Sequence, residues 1–446
     1  MSLVEYIVDK MKLSPTKHKI AVNVAWSLLG KIVALLGGLL VGIVVARYLG
    51  PEKYGMMNYV ISFVTIFQII STFGLDNIEV REEAKEGADV NVIIGTSFVI
   101  RIIFAVITMA ATIITSLIFE SDIYTTIYVA VYSFSIIFRT FDVIRNRFTS
   151  LVQNEYVVKA EISRTLIGIC VKLFFLWISA ELIWFIFASA FDYFLLSGGY
   201  IVSYKRKLGK IRQWKFDKKY ALFLIKEAFP LLLTSAAVFI YQRIDQVMIG
   251  NMVDNEAVGY FATASRFVEI LMFVPQIITH TVAPVLVKVR QDSPSQYTMK
   301  AQLFMNFTVW SMVVLALMLS VSSYWIISLT FGEKYMNAVP ILAILAFKAP
   351  AFALSTTAGN MLVIEGLQKY AIIRDLFGCI VCISLNYLML PQYGTIAASY
   401  IAILSYLCAG YLGDIIVPAY RHIFLIQTKT ILTGWKDLIN FKKIFK

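Results

Sequence analysis

Residues 20–74 read IAVNVAWSLLGKIVALLGGLLVGIVVARYLGPEKYGMMNYVISFVTIFQIISTFG, two long apolar arms on either side of a compact polar turn at residues 47–55. Each arm offers the roughly 20 apolar residues that cross about 30 Å of hydrocarbon at about 1.5 Å per residue, so both are expected to be transmembrane helices. Lys31 stands near the middle of the first arm. A lone ammonium there costs at least about 2.5 kcal/mol unless it faces protein or water. The same arm carries Gly37, Gly38 and Gly42, a small-residue run with a Gly-xxx-Gly step that lets another backbone approach closely. The hairpin is therefore expected to be packed and to line a wet cavity.

Composition extends that reading to the whole chain. With 59% hydrophobic and 15% charged residues over 446 positions, a soluble globular protein of ordinary composition is excluded. The expectation is an all-α polytopic membrane protein with twelve transmembrane helices, at about 20–46, 54–74, 91–118, 123–139, 165–180, 182–203, 221–249, 259–287, 303–331, 338–364, 371–390 and 395–418. With the N-terminus in the cytoplasm, the cytoplasmic segments hold 30 Lys or Arg and the external turns only Arg47, Lys53 and Lys334. That imbalance orients the chain in the cytoplasmic (inner) membrane with both termini cytoplasmic. Residues 1–19 form a basic amphipathic segment without the features of a cleaved signal peptide, so the first helix is expected to serve as its own targeting signal. Cys170, Cys379, Cys382 and Cys408 all lie in apolar runs, which argues against a disulfide framework. The spacing Cys379-x-x-Cys382 has no His nearby and reads as small packing residues rather than a metal site.

Three polar segments interrupt the spans. Residues 76–90 carry mixed charge and are expected to form an interfacial or solvated short helix. Residues 139–164 are expected to extend the fourth and fifth helices into the cytoplasm. Residues 205–219 (KRKLGKIRQWKFDKK) are the most basic stretch; just beyond a span, such a run is expected on anionic headgroups rather than nucleic acid. This linker divides the spans six and six, giving an N-lobe at 20–204, the linker at 205–219, a C-lobe at 220–418 and a basic, interfacial C-terminal tail at 419–446. An even number of spans in the first half implies a parallel pseudo-repeat about an axis along the membrane normal. A shift of 204 residues lays the turn at 49–55 on 253–259, matching Glu52 with Glu256 and Gly55 with Gly259.

Ala46-Arg-Tyr-Leu-Gly-Pro-Glu-Lys-Tyr-Gly55 after a Gly-rich first helix resembles the opening hairpin of Wzx-type polysaccharide-repeat (O-antigen, lipopolysaccharide) flippases of the multidrug/oligosaccharidyl-lipid/polysaccharide exporter superfamily. The second half is similar to the same family in Phe229-Pro230 opening a helix, Tyr241-Gln-Arg-Ile-Asp-Gln-Val-Met-Ile-Gly250, Val258-Gly-Tyr-Phe-Ala-Thr-Ala264 and Pro275. The resemblance implies two bundles arranged in a V that move an undecaprenyl-pyrophosphate-linked oligosaccharide to the outer leaflet. Its implied partners are that anionic lipid-linked cargo, membrane lipids and other polysaccharide-assembly proteins.

The charged residues inside the spans bear on that expectation. Seven are basic (Lys31, Arg101, Lys172, Lys226, Arg243, Arg266, Lys348) and five acidic (Asp192, Glu227, Asp245, Glu269, Asp414). A cationic cavity spread over several depths suits a pyrophosphate diester, since ammonium and guanidinium groups replace the water it loses. Lys31, Arg101, Lys172, Arg243, Arg266 and Lys348 are the candidate substrate-binding residues. Asp192, Asp245 and Glu269 are candidate charge partners or ion-coupling residues. Arg266 and Glu269, three apart, share a helix face and form a structural pair in the plainest reading, Lys226-Glu227 snorkel at the interface, and His280 and Asp414 are expected to be satisfied within the bundle. No catalytic constellation, phosphate loop or metal cluster is found, so neither an enzyme nor a cofactor is expected. The rival readings are a cation-coupled multidrug exporter of the same superfamily and, below it, a membrane-embedded glycan polymerase or transferase. The first wants a buried acid in the first lobe where the first helix carries Lys31; the second wants room for a catalytic site outside the membrane.

Overall fold

The computed structural model describes residues 15–120 and 122–438; almost all of the expected N-terminal segment and the end of the C-terminal tail lie outside the described residues. Every regular element among them is helical. In order these are α1 (Pro15–Thr72), α2 (Asp76–Glu83), α3 (Val90–Phe119), α4 (Ile123–Phe138), α5 (Asp142–Ser150), α6 (Asn154–Trp177), α7 (Leu182–Lys207), α8 (Lys218–Met252), α9 (Asn255–Asp292), α10 (Pro294–Val321), α11 (Ser323–Thr330), α12 (Ala338–Leu345), α13 (Lys348–Glu365), α14 (Ala371–Leu407), α15 (Gly413–Ile416) and α16 (Arg421–Thr433). Nine helical stretches among the described residues are long and apolar enough to cross a membrane. Two of them, Ala21–Glu83 and Gln368–Ile416, hold two arms each, broken at Gly50 (φ 75°) and Gly394 (φ 57°). Both glycines take a left-handed conformation that a side chain would strain. Pro51 then opens the second arm of α1, where a fixed φ and a missing N–H suit a helix start. The helix α6 stands where the fifth span was expected and carries Glu161, Arg164 and Lys172. Each of the twelve expected spans thus has helix at its place. The chain is an all-α polytopic membrane protein.

The chain divides into two compact units, one of residues 1–48 and 63–236, the other of residues 49–62 and 237–446. In the first unit the opening arm of α1 lies along α6. Gly30 faces Val158 and Gly37 faces Thr165 so closely that an added Cβ would come to 2.8 and 2.9 Å of their side chains, whereas Gly38 faces nothing within 4 Å. A core of Ile94, Val143, Ile144, Phe148, Val157, Tyr200 and Tyr204 gathers α3, α6 and α7 around α5. Of the interfacial or solvated helix expected at residues 76–90, the solvated form is not what is found: α2 buries Ile78, Glu79, Glu82 and Glu83, because Glu79 meets Arg101 of α3 and Glu83 meets Arg147 of α5, while Glu82 pairs with Arg81 and Lys85 of the same segment. The basic linker is a strap fastened to the start of α3. Lys215 N donates to Asn91 O at 3.0 Å and Asp217 N to Thr96 Oγ1 at 3.1 Å, while Trp214 packs against Phe98 and donates to Tyr204 Oη at 2.9 Å.

In the second unit α9, α10, α13 and α16 share a core that includes Leu286, Phe304, Met305, Met312, Leu354, Met361 and Ile423. The described part of the C-terminal tail docks here: Gln302 Nε2 donates to Ile426 O at 3.0 Å and Trp310 Nε1 to Thr430 O at 2.8 Å. Two sequence expectations are corrected. Pro230 does not open a helix but sits inside α8, and the tenth span is broken after Leu345, so that Lys348 is the first residue of a new helix rather than a mid-helix residue.

The two glycines matched by the 204-residue shift meet in this unit. A Cβ on Gly55 would come within 1.7 Å of Asn255 O, and one on Gly259 within 2.1 Å of Pro51 O. Tyr59 Oη donates to Asn251 Oδ1 at 2.8 Å and Ser62 Oγ to Gln246 Oε1 at 2.8 Å along the same seam. Contact here is backbone against backbone, which cannot relax by a rotamer change. Gly55→Ala and Gly259→Ala are each expected to destabilise the detergent-solubilised protein by about 1–3 kcal/mol, the usual cost of overpacking, read as a lowered Tm. Gly38→Ala, on an open face, is expected to leave the Tm unchanged or raise it.

Candidate functional site

The bases within the helices meet their surroundings in four different ways. Arg101 is 1% exposed. Its Nε donates to Glu79 Oε1 at 2.8 Å, and one terminal nitrogen donates to Asp76 Oδ1 at 2.7 Å and Glu79 Oε2 at 3.0 Å. Asn146 Nδ2 donates to the same Asp76 at 2.9 Å, and Arg145 approaches that carboxylate at 3.3 Å. Close by, Ser150 Oγ donates to Glu83 at 3.0 Å. Arg101 is therefore the anchor of a buried ion network that ties α2 to α3 and α5, and the expected cavity-lining role is corrected. Its acids lie 22 and 25 residues upstream, outside its own span; their signal was the i, i+3 pair Asp76 and Glu79 on one face of a short helix.

Lys172 Nζ lies 2.6 Å from Asp192 Oδ2, which corresponds to the first of the two roles considered for Asp192, charge partner or ion-coupling residue. Gly168 makes room for it, since a Cβ there would fall 2.1 Å from Asp192 Oδ1. Lys31, on the first arm of α1, has an exposed side chain.

In the second unit Arg243, Glu269 and Lys348 line one small pocket together with Gln242, Gln246 and Phe261. An Arg243 terminal nitrogen is 3.3 Å from Glu269 Oε1, both half-exposed, and Lys348 Nζ lies 5.3 Å above the Tyr406 ring. A cation over a ring face is held without being neutralised. Arg266 is half-buried on the same helix as Glu269. Asp245, only two residues from Arg243, points the other way into the bundle, as the spacing required. It is buried, accepting from Asn386 Nδ2 at 2.8 Å and from Cys382 Sγ at 3.4 Å, while its Oδ2 has no hydrogen bond. Cys382 thus has a role as a weak donor to a buried acid, and among the described residues no group of three or more His, Cys, Asp or Glu is placed to hold a metal ion. The structure brings Arg243, Glu269 and Lys348 together, pairs Lys172 with Asp192, and assigns Arg101 to the ion network of α2.

A helical bundle of this kind, with charges held inside its spans, defines a multi-pass membrane protein. Solved structures agree on the fold: an inward-facing multidrug-resistance MATE family transporter of the MOP superfamily (TM-score 0.67, 13% identity, covering 92% of this chain and 96% of that one) and the lipid II flippase MurJ in an inward closed conformation (TM-score 0.66, 18% identity, 95% and 98%). A MOP superfamily transporter from Pyrococcus furiosus is also similar (TM-score 0.62, 12% identity, 97% and 100%). Residues 20–290 match the model of the polysaccharide biosynthesis protein family, and the chain belongs to that family. It is 29% identical over 138 residues to the teichuronic acid biosynthesis protein TuaB of Bacillus subtilis (strain 168), a match that spans 30% of this chain and 28% of that protein.

Breaking a buried ion pair on one side leaves an uncompensated charge, at a cost of about 3–5 kcal/mol. Glu79→Gln is therefore expected to lower the Tm sharply. The double variant Arg101→Leu/Glu79→Leu is expected to recover part of that loss, since it removes both charges; equal damage in single and double variants would assign the loss to packing instead.

Proposed function

We propose that this chain is a flippase that moves a polyprenyl-pyrophosphate-linked oligosaccharide across the cytoplasmic membrane by alternating access, with both termini cytoplasmic. The observation that carries the reading is the pair Arg243 and Lys348 in the second unit. Arg243 and Lys348 share a pocket with Glu269, and Lys348 lies over the Tyr406 ring within electrostatic reach of the buried Asp245. In the pocket lining two cations stand against one carboxylate, with Asp245 buried behind them, an arrangement that suits an anionic cargo, and a planar guanidinium beside a compact ammonium fits phosphate oxygens. Membership of the polysaccharide biosynthesis protein family supports a glycan cargo, and the likeness to a lipid II flippase supports a lipid-linked one. In this reading the anionic head binds the conformation in which Arg243 and Lys348 are open to it, and its differential affinity for that conformation drives the exchange of access.

A second reading, a cation-coupled multidrug exporter, has one specific observation behind it. Asp245 is a buried carboxylate with an unpartnered oxygen, the kind of group that exchanges a proton or a cation. The two readings separate on cargo charge. Lys348→Glu and Lys31→Glu are each expected to cut export by at least about tenfold, equivalent to about 1.4 kcal/mol, with the protein still inserted and folded, and Lys348→Arg to retain more activity. The measurement is the amount of lipid-linked oligosaccharide on each leaflet in cells carrying each variant in place of the wild type. Full export by both reversed variants would favour the drug exporter.

A further inference from the structure

Three charged side chains meet in the interior of the second unit without forming a proper ion pair. Arg374, in the first turns of α14, and Asp414, on α15, are buried, and Asp414 is 0% exposed. The Arg374 guanidinium is 3.7 Å from Asp414 Oδ1 and 3.7 Å from Asp375 Oδ1, beyond the 2.7–3.2 Å of an N–H···O hydrogen bond. Neither oxygen of Asp414 has a hydrogen bond, and neither has Oε1 of Gln427, a fully buried side chain of α16 whose amide faces Asp414. The expectation that Asp414 is satisfied within the bundle is thus not met. The other ionisable groups beside the cluster are the phenols of Tyr241 and Tyr420, neutral at physiological pH. The sum is one cation against two carboxylates.

A surplus negative charge in such a place is costly, and the inexpensive remedy is neutralisation by a proton. The hydrogen-bonding inventory points the same way. Nε and Nη1 of Arg374 are unpaired donors held 3.7 Å from the carboxylates, and Gln427 Oε1 is an unpaired acceptor; a protonated Asp414 carboxyl supplies that acceptor with one O–H. A sodium ion fits less well, because the guanidinium stands beside the oxygens that would have to coordinate it. The surrounding helix is irregular at this point. Residues Cys408–Leu412 form a π-helical turn immediately before Asp414, and Gln427 Nε2 donates to Gly410 O within it. Such turns are marginal in stability and occur often at functional sites.

We propose that Asp414, with Asp375 and Arg374, forms a binding site for one exchangeable proton, and that Gln427 accepts the hydrogen bond of the protonated carboxyl. Loss of that proton removes this hydrogen bond between Asp414 and Gln427 of α16. The proposal does not depend on the nature of the cargo.

The test is pH-difference infrared spectroscopy of the full chain in lipid nanodiscs, following the carboxylic-acid C=O stretch. The wild type is expected to show a band that titrates with one midpoint, and Asp414→Asn, checked for folding by its Tm, is expected to lack it. Arg374→Gln provides a second arm that does not remove the acid. Loss of the neighbouring cation is expected to raise the midpoint by roughly 1–3 pH units. An Asp414→Asn spectrum identical to the wild type, or a midpoint unmoved by Arg374→Gln, would overturn the site. A signal that responds to sodium at constant pH rather than to pH would replace the proton with a metal cation and equally overturn the proposal.

Discussion

A charged side chain within hydrocarbon needs a counter-charge, an aromatic face or water, and much of this structure is the set of answers to that demand. Arg101 is answered by acids delivered from outside its helix, and in being answered it fastens α2 into the first unit. Lys172 is answered across a helix pair by Asp192, in a space that Gly168 leaves open. Arg243 finds Glu269 on a neighbouring helix, and Lys348 a tyrosine ring. These answers differ in what they leave for a ligand. A bidentate, buried pair is spent on structure. An ammonium over a ring face, beside a half-exposed guanidinium, retains most of its attraction for an anion.

How much of this can be read from the sequence depends on the reach of each signal. Apolar length marks the spans because it is local, and Gly50-Pro51 marks the reversal of α1 because only glycine takes its backbone conformation without strain. The break before Lys348 was harder to see. It involves Ala346 and Phe347 rather than a glycine, and its one local sign is Pro350, a residue best accommodated in the first turn of a helix. The partners of Arg101 are not legible from its own span, because the acids lie on a connection whose mixed charge reads as interfacial or solvated. Burial of α2 follows from complementarity between segments, a property that no single window of sequence contains. The pairing of Lys172 with Asp192 was accessible because the two lie on successive helices. The unsatisfied state of Asp414 was not, since a count of acids and bases says nothing of whether a distance is 2.8 or 3.7 Å.

Fold and cargo are written in different residues. The fold is shared with transporters only 12–18% identical, which is possible because apolar spans, glycine seams and helix breaks tolerate wide exchange of side chains. The backbone contact of Gly55 and Gly259 is one of the few places where a particular residue is demanded by geometry alone. The charged pocket depends instead on a handful of residues, and there this chain sets Arg243 and Lys348 against Glu269 beside two amides.

The central claim is that the protein moves an anionic, lipid-linked glycan from one leaflet to the other. The most direct measurement uses vesicles reconstituted with the purified chain and a short-chain polyprenyl pyrophosphate carrying a fluorescently labelled sugar, with dithionite as a membrane-impermeant quencher. The account predicts that quenching proceeds past the outer-leaflet share only in vesicles that contain the protein, and that unlabelled polyprenyl-pyrophosphate sugar competes while an uncharged polyprenol does not. Quenching that stops at the outer leaflet in intact, protein-containing vesicles that do transport a cationic dye would contradict it.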